Sequence, residues 1–377
     1  MRLAFALYKY FPYGGLARDF SRIANICLEK GHSVDVYVME WKGDLVPEYN
    51  VHVLACKGWS NHAKVGNFHR QLNQRLSSKQ YDAVIGFNKM PGLDVYYAAD
   101  PCYVDRFVKS SFLTKLNPRY RFYADVEEAV FGQSSKTVCL MISDKQTELF
   151  KKHYQTADQR LVMLPPGIDP NRRKPNDAAD KRARFRETLK LEEDDLLVLM
   201  VGTGFKTKGV DRAITALSSL DMDVLAKTHL IVVGEDDLDA YKRLAEQQGV
   251  ASRCHFMGGR NDVPDFLLSA DLLLHPARKE NTGTVILEAM VAGLPVLVTD
   301  VCGYAKYVSQ AEAGFVLSSP FQQQVLNERL SGMLSNTASD IWSKNALEYA
   351  DNEDLYSMPE KAVEAIERVA RDKKNAV

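Results

Sequence analysis

Two successive series of apolar runs dominate this sequence. Each alternates strand-like stretches with stretches whose apolar residues recur at helical spacing. In the first series Arg2–Tyr8 reads as a buried strand, Gly14–Gly15 breaks it, Leu16–Lys30 reads as a helix and Ser33–Met39 as the next strand. Val51–Ala55, Asp82–Phe87, Val95–Ala99, Thr137–Ser143 and Leu161–Leu164 continue the strands. Strand–helix–strand units in series predict a parallel sheet covered by helices on both faces, since parallel strands need long crossovers.

The pattern stops at Pro165–Pro166–Gly167 and stays polar and charged until Leu196, which reads as a hinge and the first helix of a second domain. A new series follows. Its strands are Leu196–Val201, His229–Val233, His255–Met257, Asp271–His275 and Pro295–Thr299, with helices from about Val210, Leu238, Val263 and Gly283. The predicted class is α/β, with two Rossmann-like doubly wound domains spanning residues 1–166 and 167–357. The amphipathic segment Pro359–Arg371 predicts a closing helix over 358–377 that could pack on either domain. A length of 377 residues suits two cores better than one.

Charge removes one class of function. Forty-eight Lys and Arg face 49 Asp and Glu, a net charge of −1, so the chain lacks the basic excess that nucleic-acid binding needs. No apolar run approaches the roughly 20 residues of a membrane span, and Met1–Tyr10 is too short in apolar length for a signal peptide. The six cysteines are scattered without a Cys-x-x-Cys pair, which predicts buried thiols in a reduced, cytoplasmic protein and no structural zinc.

Candidate chemistry lies at strand-to-helix junctions, where doubly wound sheets bind ligands. Gly14 and Gly15, followed by Arg18 and Asp19, form the first junction; they suit either a phosphate at the helix start or a plain turn. The loop Gly202–Gly209 carries three glycines and two lysines, and Lys208 makes it a candidate anion site; it is not a Walker A loop. Arg260, after Gly258–Gly259, could add a cation at the same edge. Glu280 and Glu288 flank Gly283 and Ile286, and ionised carboxylates suit the hydroxyls of a sugar or ribose. Asp100 ends a strand ahead of Pro101, as either a functional carboxylate or a turn. His275 reads as a satisfied core histidine. Asp221-Met-Asp223 and Asp237-Leu-Asp239 read as caps or turns, so no metal site is expected.

Residues 103–123 interleave Arg106, Lys109, Lys115, Arg119 and Arg121 with Phe107, Phe112, Leu113, Leu116 and Tyr120. Cations with aromatics suit an anionic membrane surface; a basic helical hairpin packed on the first domain is the alternative. Replacing Arg106, Lys109 and Lys115 with Gln is expected to weaken binding to anionic vesicles.

With Glu280-x7-Glu288, Lys208–Gly209 and Gly14–Gly15 in place, the chain resembles the retaining glycosyltransferases of family 4 over essentially its whole length. The runs Leu7–Leu16 and Gly86–Asp94, with His275–Pro276, are similar to the lipopolysaccharide core glucosyltransferase branch of that family. The resemblance implies the GT-B fold, with the two domains facing a central cleft. It implies a UDP-sugar as donor substrate with no separate cofactor, and a heptosylated lipid A-core acceptor at the cytoplasmic face of the inner membrane. Glu288 would take the ribose, Glu280 the donor sugar, and Lys208 with Arg173 or Arg260 the diphosphate. Gly15 would approach the diphosphate, while Asp19 and Asp100 would line the sugar and acceptor side as catalytic candidates. Asp100 stands where many members have a histidine. Thr207 stands where close relatives tend to place an arginine.

Breaking a sugar–diphosphate bond develops negative charge on the leaving phosphate, and each preorganised donor there is worth about 10²–10³ in rate. No carboxylate stands out as a nucleophile, so the expectation is front-face substitution rather than double displacement. Two rivals remain at this level: a sugar-nucleotide 2-epimerase of the same fold, and a non-catalytic scaffold on the membrane surface. Glucose is the implied hexose, and a galactosamine or glucosamine fits these residues equally.

Overall fold

The computed structural model describes residues 1–12, 14–335 and 339–375; Tyr13, within the run Leu7–Leu16, lies outside them. The chain divides into two compact units, Met1–Gly167 with Tyr356–Val377, and Ile168–Leu355.

The first unit holds β1 (Arg2–Tyr10), β2 (Ser33–Trp41), β3 (Asn50–Val53), β4 (Ala83–Gly86), β5 (Val95–Ala98), β6 (Val138–Met141) and β7 (Leu161–Met163). They pair in parallel in the order β3-β2-β1-β4-β5-β6-β7. Side-chain alternation along β1 feeds two cores. Leu3, Phe5 and Leu7 pack with Phe20 and Ile23 on one face, while Ala4 and Ala6 pack with Phe68, Phe131 and Phe150 on the other. The last helix, Met358–Asn375, belongs to this unit. Met358, Val363 and Ile366 join the first of those cores, and Glu367 accepts a hydrogen bond from His32 at 2.9 Å.

The second unit holds β8 (Leu196–Val201), β9 (Thr228–Val233), β10 (Cys254–Phe256), β11 (Leu272–His275), β12 (Val296–Thr299) and β13 (Gly314–Leu317). These too are parallel, in the order β10-β9-β8-β11-β12-β13. In each sheet the order reverses beside the first strand, between β1 and β4 and between β8 and β11. Such a reversal opens a crevice at the carboxyl ends of the strands.

Among the elements not read from sequence, two carry particularly little pattern. The helix Asn61–Ser77 is mostly polar and buries Val65, Phe68, His69 and Leu72. The edge strand β13 buries only Leu317. Residues 103–123 form neither a strand nor a simple hairpin. A 3-10 turn, Val104–Phe107, and a five-residue helix, Phe112–Leu116, lead into the longer helix Pro118–Phe131. The six cysteines are all free thiols.

Candidate active site

The crevice of the second sheet brings Lys208 and Glu280 together. Lys208 ends the short helix Phe205–Lys208 that follows β8, and Glu280 lies in the loop that follows β11. Three glycines with positive φ (Gly202, Gly204 and Gly209) let the first loop fold tightly. Gly209 is forced by more than its φ of 78°: a Cβ there would lie 2.2 Å from the Pro276 carbonyl oxygen. The exits of β8 and β11 are thus in backbone contact, and Arg278 N–H donates to the Thr207 carbonyl at 2.8 Å. Lys208 Nζ then donates to Glu280 Oε2.

The same oxygen accepts from His275 Nε2 at 3.4 Å, and Glu280 Oε1 accepts from the Asn281 backbone N–H at 3.1 Å. Burial alone would raise the Glu280 carboxyl, but the His275 hydrogen bond and the Lys208 ammonium outweigh it and hold it down at about 2. With Glu280 an ionised acceptor, His275 carries its hydrogen on Nε2. His275 is fully buried, which lowers its pKa, and its Nδ1 has no hydrogen-bond partner among the described residues. It is the core histidine expected from the apolar strand around it, but only its Nε2 is satisfied. Its ring positions Glu280.

The remaining donor-side residues are placed less simply. Glu288 is buried on the helix Thr284–Val291, which Gly283 opens with φ 85°. Arg172 Nε stands 3.9 Å from Glu288 Oε1. The neighbouring Arg173 reaches Asp351 at 3.8 Å. The Ile286 side chain is fully buried against Gly283, and its N–H donates to the Gly283 carbonyl at 2.9 Å. Arg260 follows β10, which β9 separates from β8, and its guanidinium grips Asp262 through two hydrogen bonds, one of them 2.8 Å long. At Thr207 a different arginine serves the loop: Arg278 donates to the Lys206 carbonyl at 2.9 Å while its fork holds Asp211 at 2.7 and 2.6 Å. Asp237 Oδ1 accepts from the Asp239 N–H at 3.1 Å, a local cap.

In the first unit Gly14 caps the helix Gly15–Glu29 and packs on the Phe11 ring, while the Cβ position of Gly15 is open for 4 Å around. Asp19, one turn into that helix, accepts from the Tyr97 hydroxyl at 2.8 Å. Asp100 accepts from Asn88 at 3.4 Å and from Tyr96 at 3.5 Å.

Behind Asp100 lies a feature that periodicity could not reveal. Glu127, fully buried on the helix Pro118–Phe131, takes hydrogen bonds from Lys89, the Tyr103 N–H at 2.8 Å and the Tyr154 hydroxyl at 2.8 Å. A buried carboxylate persists only when its oxygens are satisfied in this way. It ties the 103–131 segment to the end of β4.

The second unit therefore offers an ammonium, two buried carboxylates and a positioned imidazole at one strand edge. That set can receive a ligand with an anionic end and a polyhydroxylated end. The family of glycosyl transferases group 1 matches residues 181–349, which include Lys208, Glu280 and Glu288. The lipopolysaccharide glucosyltransferase WaaG of Escherichia coli is 46% identical over 368 residues, covering 97% of this chain and 98% of its own length. A crystal structure of WaaG, a glycosyltransferase involved in lipopolysaccharide biosynthesis, superposes with a TM-score of 0.91 over 97% of this chain and 99% of that one. Anabaena HepE, solved with UDP and glucose, shares the fold at 19% identity, with a TM-score of 0.75 over 98% of this chain and all of its own.

Proposed function

Since the chain belongs to the group 1 glycosyl transferases and has their GT-B fold, we propose that it moves a hexose from a UDP-sugar onto the inner-core heptose of lipopolysaccharide, with retention of configuration. The Lys208–Glu280–His275 cluster carries this reading. Lys208 meets the diphosphate, whose charge grows as the sugar–phosphate bond breaks, and Glu280 takes hydroxyls of the transferred hexose. Glu288 takes the ribose, with Arg172 beside it. Held at a low pKa, Glu280 stays an acceptor at any physiological pH, so it orients the sugar and does not exchange protons with it. Substitution proceeds on the front face, with the leaving phosphate helping to deprotonate the acceptor hydroxyl. The ammonium supplies the electrostatic stabilisation, so turnover is expected to continue under chelation. Asp19 and Asp100 serve the acceptor.

The acceptor is lipid-linked, and the surface of the first unit supports work at the cytoplasmic face of the inner membrane. Phe112 and Leu113 are 74% and 76% exposed on a short helix that carries exposed Lys115 and follows exposed Lys109. No helix among the described residues is long and apolar enough to cross a membrane. Contact through apolar insertion and charge is the mode this surface suits.

A panel of UDP-hexoses incubated with heptosylated core and read by mass spectrometry tests the proposal. One donor should add a single hexose to the glycan. Epimerised nucleotide sugar formed from donor alone, or no added hexose with any donor, would overturn it.

A further inference from the structure

We infer that the first unit recognises its acceptor through an oxyanion, a carboxylate or phosphate on the glycan, held by Arg106 and Arg119. This rests on the glycosyl-transfer reading above and adds the chemical class of the acceptor. Both residues line a cavity of about 290 Å³, together with Tyr8, Asn88, Asp100 and Tyr123. Its volume is close to the lower bound of about 300 Å³ for small-molecule sites. It draws on Tyr8 of β1 and on the exits of β4 and β5, beside the reversal in strand order of the first sheet.

The charges on its wall are unequal in what they already hold. Lys89 also lines the cavity, but its ammonium donates to Glu127 and to the Pro101 carbonyl at 2.8 Å, so its charge is matched. Neither the Arg106 nor the Arg119 guanidinium has an ion pair or side-chain hydrogen bond among the described residues. Set against the single carboxylate of Asp100, two guanidiniums leave the cavity positive. Guanidinium forks match the two oxygens of a carboxylate or phosphate, which a lysine would meet only as a point charge. Asp100, held among the described residues by two long hydrogen bonds, keeps acceptor capacity for a sugar hydroxyl. Tyr103 and Tyr123, with ring centroids 5.3 Å apart, supply an apolar face for the pyranose ring.

The basic residues of this segment therefore fall into two groups. All four are exposed, but Lys109 and Lys115 do not line the cavity and stand beside Phe112 and Leu113, where they suit lipid headgroups. Arg106 and Arg119 line the cavity and serve the acceptor.

Lipid-free heptosylated core is prepared intact, dephosphorylated and carboxyl-reduced, and its binding is measured by calorimetry without turnover. At least one neutralised glycan should bind about tenfold or more weakly than the intact one. The separate variants Arg106→Gln and Arg119→Gln should erase that preference while UDP binding and melting temperature stay as in the wild type. Three glycans binding alike, or a preference that survives both substitutions, would refute the inference. So would variants that lose anionic-vesicle binding while keeping the glycan preference, since the arginines would then serve lipid. A wild-type protein that discriminates the glycans but transfers no hexose would sink the enzymatic reading and leave this one standing.

Discussion

Lys208 and Glu280 are 72 positions apart in the chain and share a hydrogen bond at the carboxyl ends of two adjacent strands. Each is more than three-quarters buried, at 21% and 15% side-chain exposure, and each is the other's counter-ion. A donor that brings both a diphosphate and sugar hydroxyls replaces that pairing with two new ones, so little uncompensated charge is buried at any stage.

Replacing Lys208 with Ala is expected to lower kcat/KM for the UDP-sugar by about 10²–10³, because the cation acts where charge develops. Steady-state kinetics with the preferred donor check this. A value within about threefold of the wild type would remove Lys208 from the chemistry.

Glu280 also leaves a signature in stability. Its carboxyl ionises at about 2 in the folded protein against 4.5 as the reference value, so between those pH values the unfolded chain binds more protons. The stabilisation is fully present above about pH 5 and is lost as pH falls toward 2. It amounts to at most on the order of 3 kcal/mol. Denaturant unfolding of wild type and Glu280→Gln across this window should show the gap between them closing as pH falls. Parallel acid limbs would show that Glu280 is not held ionised.

Gly209→Ala should cost about 1–3 kcal/mol and weaken UDP binding with it. A methyl group there enters the Pro276 carbonyl at a backbone φ that side chains rarely adopt, and the loop carrying Lys208 must shift. Urea unfolding and calorimetry with UDP report the two effects. Destabilisation without a change in UDP affinity would mean that this contact does not position Lys208.

Glu127→Gln leaves the Lys89 ammonium buried without a counter-charge, and the expected loss is about 3–5 kcal/mol. Because Glu127 also accepts from Tyr103 N–H and Val104 N–H, amide exchange should accelerate across 103–107 in particular. Lys89→Met combined with Glu127→Leu should recover part of the stability. Uniform acceleration across the unit would argue against a local tie.

Much of the architecture was legible along the chain. Apolar period alone located most strands to within two residues, because a buried parallel strand must be continuously apolar whatever lies beside it. The same logic placed Gly14, Lys208 and Glu280 at strand exits. It failed where burial is thin, at Asn61–Ser77 and β13, and where a polar residue sits inside the core unannounced, as Glu127 does.

Strand periodicity carries no information about which strand lies next to which. Only the folded sheet, with β11 beside β8, puts Glu280 against Lys208 and leaves Arg260 two strands away with Asp262. The sequence by itself determined two parallel sheets and which residues stand at their functional edge. The tertiary structure decided which of those residues touch, because charge pairing and the home of the last helix depend on long-range packing that no local pattern encodes.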